Sequence, residues 1–487
     1  MRYIGIDLGT SAVKLLLTEA DGTICRTVSR TYPISFPRPG WSEQRPEDWW
    51  TAVQDGMRAL LAGTDGSEVA GISFGGQMHG LVILDRQDKV IRPAILWNDG
   101  RTAEQTDYLN EVVGRQVLSD CTANIAFAGF TAPKLLWLRQ EEPEQFARIA
   151  KIMLPKDYLA YRLTGVHSTD YSDASGTLLL DVEHRCWSEQ MLRICGIHRG
   201  QLPALYESWA ITGTVLPAVA AELGLSSRCR VAAGAGDNAA AAVGTGTVGE
   251  GQCNISLGTS GTIFIPSRTF RMDPHNALHA FDHADGGYHL MGCMLSAAAC
   301  NQWWMDQILG TGDYAAAQAG MERRLGENEV FFLPYLMGER SPHNDPKVRG
   351  MFLGMSMDTT RQDMTQAVLE GVTFAIRDCL EVARSLGIAP DSTKLCGGGA
   401  KSPLWRRLVA NILNLRVEIL AAEEGPALGA AMLAAVACGE YATVAQAADA
   451  IVRVTETVEP DPVLVARYQA QYQRFRTLYP AVRPLFS

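Results

Sequence analysis

No apolar run in the 487 residues approaches the roughly 18 that a bilayer-crossing helix needs, so no segment reads as a membrane span. Basic charge is also scarce: Lys plus Arg number 43 against 53 Asp plus Glu, a formal net charge of −10, and no basic cluster stands out. Nucleic acid and anionic membrane are therefore not expected as partners. The 11 cysteines form no Cys-x-x-Cys pair, and the nearest neighbours are Cys186 with Cys195 and Cys293 with Cys300. That odd count without a framework spacing predicts buried thiols in a reducing compartment. The short stretch before Tyr3 leaves no room for a signal peptide, so a cytoplasmic location is expected. Two common phosphate-binding signatures are missing as well. There is no Gly-x-x-x-x-Gly-Lys-Ser/Thr loop, and no Gly-rich loop with a His-Arg-Asp partner.

What the chain does contain is one phrase written twice. Ile4-Gly5-Ile6-Asp7-Leu8-Gly9-Thr10-Ser11-Ala12-Val13-Lys14-Leu15 returns as Cys253-Asn254-Ile255-Ser256-Leu257-Gly258-Thr259-Ser260-Gly261-Thr262-Ile263-Phe264. Each copy predicts a buried strand that reverses through a small-residue turn, whose N–H groups and hydroxyls can meet an anion. Two such turns can grip one polyphosphate. Asp7 in the first copy is Ser256 in the second, so only the first half supplies a carboxylate suited to Mg²⁺.

The length exceeds what one hydrophobic core usually organises and predicts two domains of roughly 200 to 250 residues. The repeat makes them related α/β halves, 1–245 and 246–487, joined where Gly244, Gly246, Gly249 and Gly251 loosen the chain. A helix is expected over Pro46 to Leu61, a strand and glycine turn over Ile72 to Gly80, and an alanine-rich helix after Asp237-Asn238. In the second half, Met364, Ala367, Val368, Gly371, Val372, Ala375 and Ile376 form one apolar stripe of a long helix. Tyr468, Tyr472, Phe475 and Leu478 mark a C-terminal docking helix. His275, His279 and His283 recur at intervals of four, a spacing that suits metal ligands on a helix, but the text around them alternates like a strand.

Phosphoryl transfer needs a phosphate cradle, a metal and a group that deprotonates the acceptor hydroxyl. The two Gly-Thr-Ser turns suit the first need and Asp7 the second. Asp237 suits the third, at a strand end where a helix begins, though aspartate is equally a favoured helix N-cap. The glycines of Gly397-Gly398-Gly399 leave room for a flat ring against the backbone. Gly75-Gly76-Gln77-Met78-His79-Gly80 places Met and His between glycines, where they can pack a sugar face and bond a hydroxyl, or serve as core residues.

Together these pieces resemble the FGGY carbohydrate kinases, within the actin, hexokinase and Hsp70-like ATPase superfamily. Two long patterns carry the resemblance: Gly129 through Glu141, reading Gly-Phe-Thr-Ala-Pro-Lys-Leu-Leu-Trp-Leu-Arg-Gln-Glu, and Gly350–Gly354 continuing to Asp363–Glu370. Within the family the chain is most similar to xylulokinases, through Gly76–Gly80, Ile95–Arg101, Pro155–Tyr158 and Ser172–Thr177. The resemblance implies two related ribonuclease H-like ATPase domains flanking a deep cleft. The N-terminal one would carry sugar and base, the C-terminal one the nucleotide. It implies Asp237 as catalytic base, Asn238, Met78 and His79 as ketopentose ligands, and Asp7 as the group that positions Mg²⁺. Thr10, Ser11, Gly258, Thr259 and Ser260 would line the ATP phosphates, and Gly398, Gly399 and Ala400 the adenosine. Ser402 stands where some relatives have Asn near the nucleotide. The implied reaction is ATP-dependent phosphorylation of D-xylulose at O5 in D-xylose catabolism, by a homodimer. Ribulose or gluconate as acceptor, and a nucleotide-switched binding protein, are the alternatives.

Overall fold

Both copies of the repeated phrase fold as antiparallel hairpins. In a computed structural model describing residues 1–421 and 424–486, the first seven strands considered are β1 (Arg2–Leu8), β2 (Ala12–Glu19), β3 (Ile24–Thr31), β4 (Val69–Gly76), β5 (Ile211–Thr214), β6 (Arg230–Ala232) and β7 (Ala235–Gly236). Then come β8 (Gln252–Leu257), β9 (Gly261–Ser267), β10 (Tyr288–Met294), β11 (Ser392–Cys396), β12 (Arg416–Leu420) and β13 (Val454–Val458). The helices that bear on the sites are α1 (Pro46–Leu60), α2 (Thr131–Glu141), α3 (Pro155–Thr164), α4 (Tyr171–Ser175) and α5 (Asp237–Gly244). They continue with α6 (Arg361–Ser385), α7 (Pro403–Leu413), α8 (Gly425–Cys438) and α9 (Pro462–Val482).

The duplication extends from the hairpins to the sheets. The first sheet runs β5-β6-β4-β1-β2-β3, with β7 also on β4, and the second contains the run β10-β9-β8-β11-β12-β13. In each, the hairpin strand (β1 or β8) lies parallel to the next strand (β4 or β11), which lies parallel to a third (β6 or β12). An antiparallel strand completes that side, but it precedes its neighbour in the chain as β5 and follows it as β13.

Two compact units result. Met1–Val248, Ala280–Tyr288 and Glu424–Val452 make the first, and the other described residues the second. The chain first crosses from one to the other inside the glycine-rich stretch, between Val248 and Gly249, and returns to the first unit at Ala280 and again at Glu424. The units are not the contiguous halves 1–245 and 246–487 expected from the repeat, because α8 packs on β1, β4 and α5. Glycine makes that packing possible. A Cβ on Gly5 of β1 would fall 1.9 Å from the Ala427 carbonyl oxygen, and one on Gly429 of α8 would fall 1.8 Å from that of Ala240.

In α1, Pro46 occupies the first turn, Glu47 and Asp48 follow it, and Trp49, Val53, Met57 and Leu60 form the buried face that covers β2 and β3. The long α6 starts at a capping box, in which Asp363 Oδ2 accepts from Thr360 N at 2.8 Å and Asp363 N donates to Thr360 Oγ1 at 3.2 Å. The stripe residues Ala367, Val368, Gly371, Val372, Ala375 and Ile376 are buried as core, and so is every other residue from Thr365 through Arg377. The polar side closes against α9. Tyr468 donates to Glu370 at 2.8 Å, and burial pushes the Glu370 carboxyl up to about 7. No described helix is long and apolar enough to cross a membrane.

Candidate active site

In the first unit three parallel strands end side by side. The register pairs Leu8 of β1 with Gly76 of β4, and Gly76 with Gly236 of β7. Ligands in open α/β sheets collect beyond such carboxyl ends, and here Gly9-Thr10-Ser11, Gln77-Met78-His79 and Asp237-Asn238 emerge there. Asp7, one residue before the end of β1, joins them.

Asp237 is the first residue of α5, and Gly236 occupies the N-cap, so the N-cap alternative for Asp237 does not hold. Its Oδ1 accepts from the Asn238 N–H at 2.8 Å and from Asn238 Nδ2 at 3.1 Å. Asn238 Nδ2 also lies 3.8 Å from the Met78 sulfur, which links the Asp237-Asn238 segment to the Met78-His79 loop. Burial, and then the charge of Asp7, push the Asp237 carboxyl up to about 7. Burial raises Asp7 itself to about 6, against the opposing pull of Lys14. Lys14 faces Asp7 across the hairpin and pairs with Glu424 at 3.1 Å.

His79 takes a left-handed backbone, φ 69°, a conformation that non-glycine residues keep only where the surroundings impose it. Its carbonyl accepts from Thr131 Oγ1 at 3.1 Å and from Lys134 Nζ at 2.9 Å. Lys134, on α2, also donates to the Gly129 carbonyl at 2.7 Å, and burial lowers its ammonium to about 7. The imidazole stacks on Phe130 with centroids 4.6 Å apart, and Nδ1 lies 2.6 Å from the Gly176 carbonyl oxygen. A carbonyl cannot donate, so Nδ1 carries the proton and Nε2 is the ring's acceptor.

The first Gly-Thr-Ser turn is tied down from behind. Gln44 Nε2 donates to the Thr10 carbonyl at 2.7 Å, and Gln44 Oε1 accepts from Gln77 at 3.1 Å and Trp49 at 3.0 Å. Trp97, 46% exposed, donates from Nε1 to Thr10 Oγ1 at 2.9 Å, and Ser11 stands at the surface.

The second unit holds a separate cavity of about 640 Å³, whose lining includes Gly258, Thr259, Gln318, Gly398, Gly399 and Ser402. Gly398 opens into it, for a Cβ there would meet no atom within 4 Å. A Cβ on Gly399 would fall 2.7 Å from Leu257 Cβ and 3.0 Å from the Trp405 ring. Ser260 is exposed at the turn, and Ala400 is buried. Ser402 caps α7, accepting from Trp405 N at 3.3 Å and donating to Gln318 Oε1 at 2.8 Å. The equivalent of Asp7 in this hairpin is Ser256, opposite Thr262.

The histidine trio makes no metal centre. His279 lies in a strand, His283 Nε2 contacts the Thr247 carbonyl oxygen at 3.1 Å, and among the described residues no three His, Cys, Asp or Glu come together as a metal site. Phe130, Lys134 and Gly176, which hold His79, were not singled out as site residues. The first two lie inside the Gly129–Glu141 pattern, which was the available signal.

Comparison with known proteins identifies two successive family domains along the chain. Residues 2–244 match the N-terminal domain, and residues 253–438 the C-terminal domain, of the FGGY family of carbohydrate kinases. The xylulose kinase of Escherichia coli (strain K12) is 43% identical over 488 residues, covering 100% of both chains. That of Bacillus subtilis (strain 168) is 38% identical, covering 100% of this chain and 98% of its own. Among solved structures, a xyloylose kinase from Brucella ovis superposes with TM-score 0.93 at 41% identity, covering 100% of each chain. A gluconate kinase from Lactobacillus acidophilus reaches TM-score 0.93 at 27% identity, covering 100% of this chain and 99% of that one. The strand-end constellation of the first unit and the cavity of the second are thus those of a protein that belongs to the FGGY family of carbohydrate kinases.

Proposed function

We propose that the chain transfers the γ-phosphoryl group of ATP to O5 of D-xylulose, giving D-xylulose 5-phosphate in D-xylose catabolism. The observation that carries the mechanism is the register that brings Met78-His79 and Asp237-Asn238 out together beside Asp7. The choice of sugar rests on the full-length similarity to xylulose kinases. Asp237 accepts the proton of the O5 hydroxyl. A carboxylate near pKa 7 suits that task, because a loose transition state releases the proton late. His79, through Nε2, and Asn238 bond sugar hydroxyls, while Met78 packs the carbon face.

Each Gly-Thr-Ser turn is assigned a phosphate-binding role, with Thr10 and Ser11 as the candidate ligands of the first and Gly258, Thr259 and Ser260 as those of the second. Gly398 and Gly399 line the adenosine, while Ala400 is buried and is not among the residues lining the cavity. Asp7 suits Mg²⁺, which takes one or two carboxylates and otherwise water and phosphate oxygens. Burial makes its charge costly without a cation. The ion, when bound, offsets phosphate charge. A cytoplasmic location and a homodimer belong to the same reading, and sedimentation velocity tests the second.

The deciding experiment measures ADP release from Mg-ATP with D-xylulose, D-ribulose, L-ribulose, gluconate, glycerol and no sugar. Selective stimulation by D-xylulose is expected. Selective stimulation by gluconate or a ribulose would overturn the sugar assignment and keep the mechanism, and ATPase activity indifferent to every sugar would overturn both.

A further inference from the structure

Behind the strand ends lies a charge cluster that the transfer reaction as described does not use. Lys156, on α3, has a fully buried side chain whose Nζ lies 2.7 Å from Asp157 Oδ1, 2.9 Å from Asp170 Oδ1 and 3.7 Å from Asp173 Oδ2. One cation cannot keep three buried carboxyls ionised, and burial pushes Asp157 and Asp173 above the usual carboxylate range. Asp170 is held by a ring of donors. Its Oδ2 accepts from Ser172 N at 2.9 Å, Ser172 Oγ at 2.5 Å and Ser208 Oγ at 2.8 Å.

Because the Ser172 hydroxyl spends its proton on Asp170, its lone pairs face elsewhere, and one accepts from the Gly236 N–H at 3.1 Å. Gly236 is the N-cap of α5, and Asp237 is the next residue. There is no slack on the other side of Gly236, where a Cβ would lie 3.0 Å from Met78 Cγ and Sδ. Lys156 reaches the same loop directly, donating to the Ala233 carbonyl at 3.4 Å. Its stem also packs on Gly76, where an added Cβ would fall 2.7 Å from Lys156 Cβ. One side chain therefore touches the strand that leads to Met78-His79 and anchors the carboxylate that fixes the approach to Asp237.

We propose that Lys156, Asp170 and Ser172 are positioning residues for the acceptor side of the transfer. Lys156 holds Asp170, Asp170 orients the Ser172 hydroxyl, and Ser172 holds the Gly236 N–H, which sets the direction in which the Asp237 carboxylate leaves the start of α5. The inference rests on Asp237 being the base. None of the three residues is assigned a contact with sugar or nucleotide, so their influence falls on the geometry of proton transfer and leaves ligand affinity nearly alone.

The test compares Ser172→Ala, Ser172→Thr and Asp237→Asn with the unaltered full-length enzyme, reading kcat, the KM for D-xylulose and for ATP, and the thermal midpoint. A displacement of about 1 Å at a reacting group can cost ~100-fold, so Ser172→Ala is expected to lose ~10- to 100-fold in kcat. Both KM values should stay within about threefold, the signature of a lost transition-state interaction. Ser172→Thr, which restores the hydroxyl, should recover most of the turnover. A purely structural role would lower the thermal midpoint and leave kcat per folded molecule unchanged, and that result overturns the proposal, as does a Thr variant no better than Ala. If Ser172→Ala does not fold, Ser172→Cys, close in volume but a poor acceptor, takes the same test. Near-normal turnover by Asp237→Asn removes the base assignment and this proposal together. An inactive Asp237→Asn beside a normal Ser172→Ala removes this proposal alone.

Discussion

The Nδ1 of His79 lies 2.6 Å from the carbonyl oxygen of Gly176, 97 residues away in the chain. That contact assigns the imidazole its tautomer, with the proton on Nδ1. It also makes Gly176 a residue with a job. A Cβ there would lie 2.6 Å from the His79 ring and 2.9 Å from Met78 Cε.

Gly176→Ala should therefore act at the sugar end without touching the sugar. The added methyl displaces His79 and Met78, and the KM for D-xylulose should rise as it does in His79→Ala. Losing one hydrogen bond to a buried polar partner costs ~1–3 kcal/mol, equivalent to roughly 5- to 150-fold in KM. The KM for ATP should hardly move. Steady-state kinetics with each substrate varied in turn checks this, and equal effects on both KM values would contradict it.

A second expectation concerns pH. Asp237 must be ionised to accept a proton, and its carboxyl sits at about 7, so kcat/KM for the sugar should fall as pH drops through that value. Asp7 is the second cause of the elevation after burial, so Asp7→Asn should slow the reaction and move the acid limb to lower pH. Stability carries the opposite sign. The folded state binds this proton more tightly than the unfolded chain, so the group is neutral in its effect well below 3.8 and costs stability increasingly as pH rises toward 7. Asp237→Asn should accordingly melt above the unaltered protein at pH 8 and lose that advantage in acid. Thermal denaturation at both pH values measures it, and a variant that melts lower at pH 8 would refute the linkage.

Adjacent glycines in the second unit should behave differently. At Gly398 a Cβ meets open space, so Gly398→Val should fold normally and fill the cavity, raising the KM for ATP and sparing that for D-xylulose. Gly399→Ala instead drives a methyl against Leu257 and Trp405, where overpacking costs ~1–3 kcal/mol. Its main symptom should be a lower thermal midpoint. If Gly398→Val left ATP binding intact, the cavity would not be the nucleotide site.

Much of this organisation could be read along the chain because the signals are local. Strand, Leu-Gly-Thr-Ser turn and strand lie within a dozen residues, so both hairpins, and the asymmetry of Asp7 against Ser256, follow from composition and order. Asp237 was visible as the residue between a small-residue strand and an alanine-rich helix. Its standing as first helical residue instead of cap was not, since that depends on one residue's backbone angles.

What tertiary structure alone decided involves partners far apart in sequence. α8 belongs to the first unit because Gly5, Gly244 and Gly429 let backbones approach more closely than any Cβ permits, and no local pattern announces a partner some 400 residues away. In sequence Lys134 is only one letter of the Gly129–Glu141 pattern, yet it is buried holding the carbonyl of His79. The line from Lys156 through Asp170 and Ser172 to Gly236 joins three segments that only the packed sheet brings together. Propensity and periodicity act over a few residues, and so they specify which elements form. Which buried donor meets which acceptor is settled only when those elements pack and every polar group removed from water must find a partner.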